Sequence, residues 1–326
     1  MKILVTGAAG FIGSQLCERL LQMDGIDVIG IDGLINPTLN QTKQRNLRVL
    51  LQNPRFQLYQ SDLREADLEK LLDGVQVVYH LAAMPGVRTS WGPDFQAYVE
   101  HNIIATQKLL EAARKSLLQK FIYISTSSVY GEKVGKVTEN VTPAPLSPYG
   151  VSKLTGEYLC KVYQASYGIP IVILRYFTVY GPRQRSDMAF HRFIKGILHH
   201  EPIKIFGDGN QTRDFTFIGD CIAGTTAALH ADGLIGETIN IGGRERASIL
   251  EVISIIEDLL CEKAILEFSE QLKGEPRDTC ADITKAQTLL KYNPATTLKE
   301  GLEQQINDIR LFDKELFDLN HFVQHQ

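Results

Sequence analysis

Residues 5–13 read VTGAAGFIG, and no other stretch of the chain limits the possible folds so sharply. Gly7, Gly10 and Gly13 stand three apart between an apolar, β-branched run and a helical pattern. A strand must therefore feed straight into a helix through a turn with no side chains in the way. In an open parallel sheet such a turn brings backbone up to a pyrophosphate, and the helix N-terminus adds amides and a partial positive charge. Taken alone, the stretch also fits a glycine turn that only tightens strand-to-helix packing.

Short apolar runs recur after it. The pattern predicts strands at Lys2–Thr6, Val28–Asp32, Phe56–Gln60, Val77–Leu81, Phe121–Ser125 and Ile171–Tyr176. Helical patterns fall between them at Gly13–Met23, Leu68–Asp73, Val99–Lys115 and Pro148–Tyr167. Alternation of this kind implies an α/β fold with a doubly wound parallel sheet, a Rossmann architecture, covered by helices on both faces. After Tyr176 the regularity weakens: IKIFGDGNQTRDFTF reads as short strands around a Gly-Asp-Gly turn. The expected division is a dinucleotide-binding domain over 1–175, with a returning segment near 214–242, and a smaller α/β substrate lobe over 176–326.

Asp32 ends the second strand, nineteen residues after Gly13, where a ribose-binding carboxylate belongs. Its charge would repel a 2′-phosphate, and Gly33 and Leu34 bring no cation to offset it, so NAD is favoured over NADP. Asp62 either reaches the adenine or caps a helix. The expected cofactor set is Gly7, Gly10, Phe11, Ile12, Gly13, Asp32, Asp62, Leu63, Leu81, Ala82, Ala83, Ser125, Tyr149, Lys153 and Tyr176.

In YGVSK, Tyr149 and Lys153 lie one helical turn apart and leave the same face. A phenol is a poor base, with an ordinary pKa of about 10. An ammonium and an oxidised nicotinamide beside it favour the phenolate. Tyr149 then takes a proton from a sugar hydroxyl while hydride leaves the same carbon, and Lys153 holds the cofactor ribose. Upstream, the strand of FIYISTSSVYG ends in four hydroxyls, Ser125 to Ser128. Thr126 is the expected bridge to the substrate oxygen; a polar strand end capping its own backbone is the competing reading.

These residues carry a resemblance. The chain resembles the extended short-chain dehydrogenase/reductases, and among them the sugar-nucleotide epimerases that act on UDP-glucuronate at C4, through TGAAGFIG, HLAAMPGVRTSW, STSSVYG, RYFTVYGPRQRSDMAF and GEPRDTCADITKAQTLLKYNPATTLKEGL. The resemblance implies NAD as a tightly bound cofactor, Tyr149 as base, Lys153 as its partner and Thr126 as the assisting hydroxyl. Related dehydratases carry Asp-Glu where this chain has Ser127 and Ser128, and decarboxylating relatives carry Glu at the position of Ser128. The extra acid/base of those reactions is therefore missing. Thr178 stands where galactose-type epimerases have Asn. The implied reaction is NAD-dependent 4-epimerisation of UDP-glucuronate and UDP-galacturonate through a 4-keto sugar. The alternatives are decarboxylation of UDP-glucuronate, 4-epimerisation of a neutral UDP-hexose such as UDP-glucose, and a catalytically dead dinucleotide sensor.

The substrate set contains Gly86, Arg88, Thr126, Ser127, Ser128, Thr178, Arg185, Arg192, Lys204, Arg213 and Arg277. By resemblance Arg213 and Arg277 hold the diphosphate. Ser127, Ser128 and Thr178, helped by Arg185, are expected to hold the uronate carboxylate. Arg88 borders the sugar or positions that pocket. Surface salt bridging is the competing reading for each arginine.

Composition narrows the partners. Net charge is -4, which argues against a nucleic-acid surface, and no apolar run reaches the ~18 residues of a membrane helix. The five cysteines form no CxxC pair, and His199-His200 lacks a third ligand, so no metal site and a reducing, cytoplasmic setting are expected. The family pairs subunits through helices near 99–115 and 149–166, and NIIATQKLLEAA is apolar on all sides, so a homodimer built on a helix bundle is expected.

Overall fold

A computed structural model describes the backbone of residues 1–35 and 40–324 and the side chains up to residue 315. The strands are β1 (Lys2–Thr6), β2 (Asp27–Ile31), β3 (Phe56–Tyr59), β4 (Val77–His80), β5 (Lys120–Thr126), β6 (Ile171–Tyr176), β7 (Thr178–Tyr180), β8 (Ile203–Phe206), β9 (Thr212–Phe217), β10 (Thr238–Ile241), β11 (Glu245–Ser248) and β12 (Leu266–Ser269). The helices are α1 (Phe11–Leu21), α2 (Asn40–Arg48), α3 (Leu68–Leu71), α4 (Phe95–Tyr98), α5 (Ala105–Ala113), α6 (Pro148–Tyr167), α7 (Ala189–Leu198), α8 (Ile218–His230), α9 (Ile249–Leu260), α10 (Thr284–Leu290) and α11 (Leu298–Gln324).

Strands β1 to β6 and β10 form one parallel sheet in the order β10-β6-β5-β4-β1-β2-β3. This is the doubly wound sheet that the alternation predicts. Its central strands are apolar on both faces because helices cover both. Ile3 and Val5 pack into one core with Leu16, Leu20 and Ile222, while Leu4 packs into the other with Leu109, Leu110 and Cys160. Strand order reverses between β1 and β4, which opens a crevice at their carboxyl ends. Beyond β6 the chain adds a three-stranded sheet, β11-β9-β7, and the pair β12-β8. Among the described residues no helix is long and apolar enough to cross a membrane.

Helix α6 is set by its own sequence. Ser147 caps it by accepting from the Gly150 amide at 3.1 Å, Pro148 supplies its first turn, and Gly168 ends it in the left-handed conformation at φ 70°. Its inward face brings Gly150, Lys153, Gly156, Glu157 and Cys160 against β5. A Cβ on Gly156 would lie 2.0 Å from the Tyr123 hydroxyl, so only glycine lets the helix approach that closely.

The stretch read as one helix over 99–115 is broken. Residues Val99–Ile104 form a π-helical turn before α5. Asn102 is the physical cause: its side chain is drawn inward to bond the Met84 amide at 2.6 Å, the Met84 carbonyl at 3.0 Å and the Ser152 hydroxyl at 2.9 Å. The widened turn ties the segment after β4 to α6, as π-bulges commonly do beside functional sites.

Candidate active site

The glycine turn lies at the crevice. Gly7 is left-handed at φ 71°, and a Cβ on Gly13 would sit 2.1 Å from the Gly7 carbonyl oxygen. The backbone of Gly7 and Gly10 is consequently bare, and the first amides of α1, from Phe11 and Ile12 onward, have no acceptor within the helix. The Phe11 ring belongs to the core. A pyrophosphate fits this cradle.

Asp32 is buried at the end of β2, accepting from the Ala9 amide at 3.1 Å and the Leu34 amide at 2.9 Å. A third partner went unseen in the sequence: Lys43 of α2 meets Asp32 at 2.8 Å. The cation missing from Gly33 and Leu34 thus arrives from the next helix, so the electrostatic argument against a 2′-phosphate is weaker than the sequence made it. Only the fold brings Lys43 to β2.

Asp62 sits at the crevice edge, but Arg64 holds it. The guanidinium reaches its oxygens at 2.8–3.1 Å, and the Arg64 amide adds a bond at 2.8 Å. Those bonds keep the carboxyl below the usual range. Asp67, not Asp62, caps α3. Leu63 points its side chain into the core. Leu81, Ala82 and Ala83 are half-buried at the end of β4, and the Ala82 amide is fixed by the Thr6 hydroxyl at 2.9 Å.

Tyr149 occupies the first turn of α6, half-buried, with its ring edge-on to Tyr98 at 6.1 Å. Burial pushes its phenol above the ordinary value, while the Thr126 hydroxyl and the Arg185 charge oppose that rise. Thr126 and Tyr149 are thus brought together, from the end of β5 and the start of α6. Thr126 also caps its own turn, accepting from the Ser128 amide at 3.2 Å. Lys153 is buried, its ammonium 4.2 Å from the centre of the Tyr123 ring, and burial pushes it down to about 8.

Two expected cofactor residues turn away. Ser125 donates to Glu157 at 2.5 Å inside the core. The Tyr176 hydroxyl bonds Thr225 of α8 at 2.5 Å. Alternation along β5 and β6 commits both side chains to packed helices, so neither faces a ligand.

Ser127 and Ser128 follow Thr126 in a short 3-10 turn, and Thr178 opens β7; all three are half-buried. Arg185 forks onto Asp187 at 2.9 and 2.7 Å. Gly86 is left-handed at φ 110°, and its carbonyl is held by the Tyr98 hydroxyl at 2.8 Å.

A separate cavity in the second lobe is lined by Phe206, Gln211, Arg213, Leu272, Glu275 and Arg277, among others. Arg213 is largely buried there and donates to the Thr212 and Arg277 carbonyls at 2.9 Å. Arg277 is exposed and paired with Asp208 at 2.9 Å. Arg88 reaches into this second lobe: it bonds Glu275 at 2.7 Å and lies over Phe206, 4.5 Å from the ring centre. It stands against two of the residues that line this cavity. Lys204 is exposed on β8, 5.4 Å from the same ring, and Arg192 stands on α7; neither lines the cavity. Phe206 and Glu275 were not singled out in the sequence; an aromatic in KIFGDG and an acid two residues before Arg277 were the available signals.

Residues 3–242 match the model of the NAD dependent epimerase/dehydratase family. A crystal structure of UDP-glucuronic acid 4-epimerase from Bacillus cereus, in complex with UDP-glucuronic acid and NAD, superposes with a TM-score of 0.95 at 58% identity, covering 96% of this chain and 100% of that one. A Bacillus subtilis protein named as an uncharacterized UDP-glucose epimerase, YtcB, is 61% identical over 94% of this chain and 97% of its own length. A UDP-glucuronate 4-epimerase of Thermodesulfobacterium geofontis is 40% identical over 93% of this chain and 94% of its own length.

Proposed function

The chain belongs to the NAD dependent epimerase/dehydratase family, and from that premise we propose that it is an NAD-dependent 4-epimerase interconverting UDP-glucuronate and UDP-galacturonate. The observation that carries the reading is the pairing of Tyr149 with Thr126 under the charge of Arg185, next to two serines where an additional carboxylate would stand in sister enzymes. The structural likeness to an enzyme of that name supports the same substrate.

NAD would be held by the amides opening α1 and by Asp32. What it supplies when bound is a reversible hydride acceptor at C4. Tyr149 withdraws the proton of the C4 hydroxyl, and Thr126 bridges to the same oxygen. Lys153, protonated below about 8, anchors the cofactor side. A 4-keto uronate results, turns about the bond to its diphosphate and presents its other face. Tyr149 then returns the proton and the C4 configuration is inverted.

The keto sugar is a β-keto acid, so its carboxylate must be kept out of line for cleavage. Ser127, Ser128 and Thr178 supply small donors, and Arg185 supplies charge. Arg213 and Arg277 serve the diphosphate, with Phe206 as a flat wall for the base.

Purified protein given UDP-glucuronate, with no added NAD, is expected to yield a mixture of the two uronates, read by chromatography of the products. UDP-xylose with carbon dioxide would overturn the reading in favour of decarboxylation. Turnover of UDP-glucose alone would make it a neutral-hexose epimerase.

The reading includes a homodimer and work in the cytoplasm. The cytoplasm is supported by five unpaired cysteines. The dimer is supported by an outward stripe on α6, where Val151, Tyr158 and Val162 are 45%, 55% and 57% exposed, with Ile104 beside the π turn at 41%. Their spacing of seven and four residues makes one helix face, and a soluble protein seldom leaves such a face bare. Tyr158→Glu with Val162→Glu is expected to halve the mass seen in light scattering. A wild type already monomeric at micromolar concentration would remove the dimer.

A further inference from the structure

Helix α2 lays two polar side chains against the ribose end of the dinucleotide crevice. Lys43 meets the Asp32 carboxylate at 2.8 Å, and the two side chains are only 18% and 7% exposed, so water screens the pair weakly. Asn46, three residues on and on the same helix face, is buried and donates to the Ala9 carbonyl at 3.0 Å. Ala9 is also the residue whose amide Asp32 accepts at 3.1 Å. The arginines of α2 turn elsewhere: Arg45 bonds Asp308 and Arg48 bonds Glu315, both on α11. Helix α2 thus grips the glycine turn through Asn46 and brings Lys43 to the ribose acid.

The acceptor sites of Asp32 are nearly full. A carboxylate has about four of them, two on each oxygen. The Leu34 amide and Lys43 occupy Oδ1, and the Ala9 amide takes one site of Oδ2. A single site is left for the two hydroxyls of an adenosine ribose, so the second hydroxyl needs another partner. Among the described residues the Lys43 ammonium spends one of its three donors, on Asp32. Charge points the same way. Asp32 alone would set a full negative charge against a 2′-phosphate, itself about −1.5 to −2 at neutral pH. With an ammonium in contact, that edge of the site is close to neutral.

We propose that Lys43 binds the adenosine ribose and selects the cofactor: it holds a ribose hydroxyl beside Asp32, and its ammonium is a seat for a 2′-phosphate that the Asp32 carboxylate keeps closed. The inference rests on the dinucleotide and not on which sugar is turned over. A salt bridge that only tied α2 to β2 would, when broken, weaken NAD and NADP alike. A selecting lysine changes their ratio.

The experiment needs no sugar. Protein as purified is incubated with a mixture of NAD and NADP until the retained ratio is constant, then desalted and treated with acid. The released nucleotides are resolved by chromatography. The NADP input is raised until both are detected, and the retained ratio, corrected for the input, is the readout. Lys43→Met is expected to lower the NADP share roughly ten- to a hundredfold, the worth of one bond between an ammonium and a phosphate. Lys43→Arg keeps the charge and should stay within about threefold of wild type. Asp32→Asn should raise the NADP share roughly ten- to a hundredfold while Lys43 is present, and Asp32→Asn with Lys43→Met should lose that gain.

Should Asp32→Asn fold poorly, the two Lys43 variants decide by themselves, since that side chain lies outside the core. A ratio that Lys43→Met leaves unmoved overturns the proposal, as does an equal gain from Asp32→Asn with and without Lys43. A protein that retains neither nucleotide removes the dinucleotide reading and the proposal together. One that shows the expected ratios yet leaves UDP-glucuronate unchanged sinks the epimerase reading alone.

Discussion

Tyr149→Phe is expected to lower kcat on UDP-glucuronate by roughly a hundred- to ten-thousandfold, the range seen when a general base is lost. The change removes one oxygen and leaves the ring, so its edge-on packing against Tyr98 survives. Helix α6 is also untouched, because Ser147, Pro148 and Gly168 set its ends. Bound NAD and the thermal midpoint should therefore match wild type, and KM should move only a few fold. The loss is chemical: neither Thr126 nor Lys153 replaces the missing base. Thr126 is an aliphatic hydroxyl, far too weak an acid to stand in as an ionised base. Lys153 is occupied above the Tyr123 ring and is itself held down to about 8 by burial. Steady-state turnover by product chromatography, together with the nicotinamide absorbance after one substrate addition, gives both numbers. A Tyr149→Phe protein within tenfold of wild type would remove the phenol from the mechanism.

What could be read from the chain, and what could not, divides along the range of the forces involved. Strands β1 and β6 and helix α6 have the bounds that local pattern predicts, because their signals are local: a β-branched run, a Ser-Pro start, a glycine end. The π turn was not legible, since Asn102 is drawn inward by Met84 and by Ser152, fifty residues further along the chain. The same holds for Lys43 on Asp32 and for the directions of Ser125 and Tyr176, which depend on which helix packs where. Site residues at strand and helix ends were foreseeable in type. The charges acting on them were not, because charge acts through space and the sequence orders residues along a line. Lys43 is the clearest instance: eleven residues beyond Asp32, it brings the cation that Gly33 and Leu34 lack.

The largest expected loss of stability comes from Glu157. It lies one turn beyond Lys153, fully buried, with its carboxylate gripped by Arg175 at 2.8 and 2.6 Å and by Ser125 at 2.5 Å. Arg175 is 2% exposed and has nowhere to find water. Glu157→Ala thus strands a buried guanidinium, which costs about 3–5 kcal/mol, against a total stability of about 5–15 kcal/mol for an ordinary domain. The thermal midpoint should fall on the order of ten degrees. Replacing both partners, Glu157→Met with Arg175→Met, removes the stranded charge and should recover most of that loss. The double variant then exposes a second role. Burial alone pushes Lys153 down, and the Glu157 charge works against it. Without that charge Lys153 gives up its proton at lower pH, so the alkaline limb of turnover should move toward neutrality in a protein that is folded again. A Glu157→Ala protein as stable as wild type would show that the guanidinium finds another partner. A double variant with its alkaline limb in place would show that Glu157 serves the fold and leaves the lysine alone.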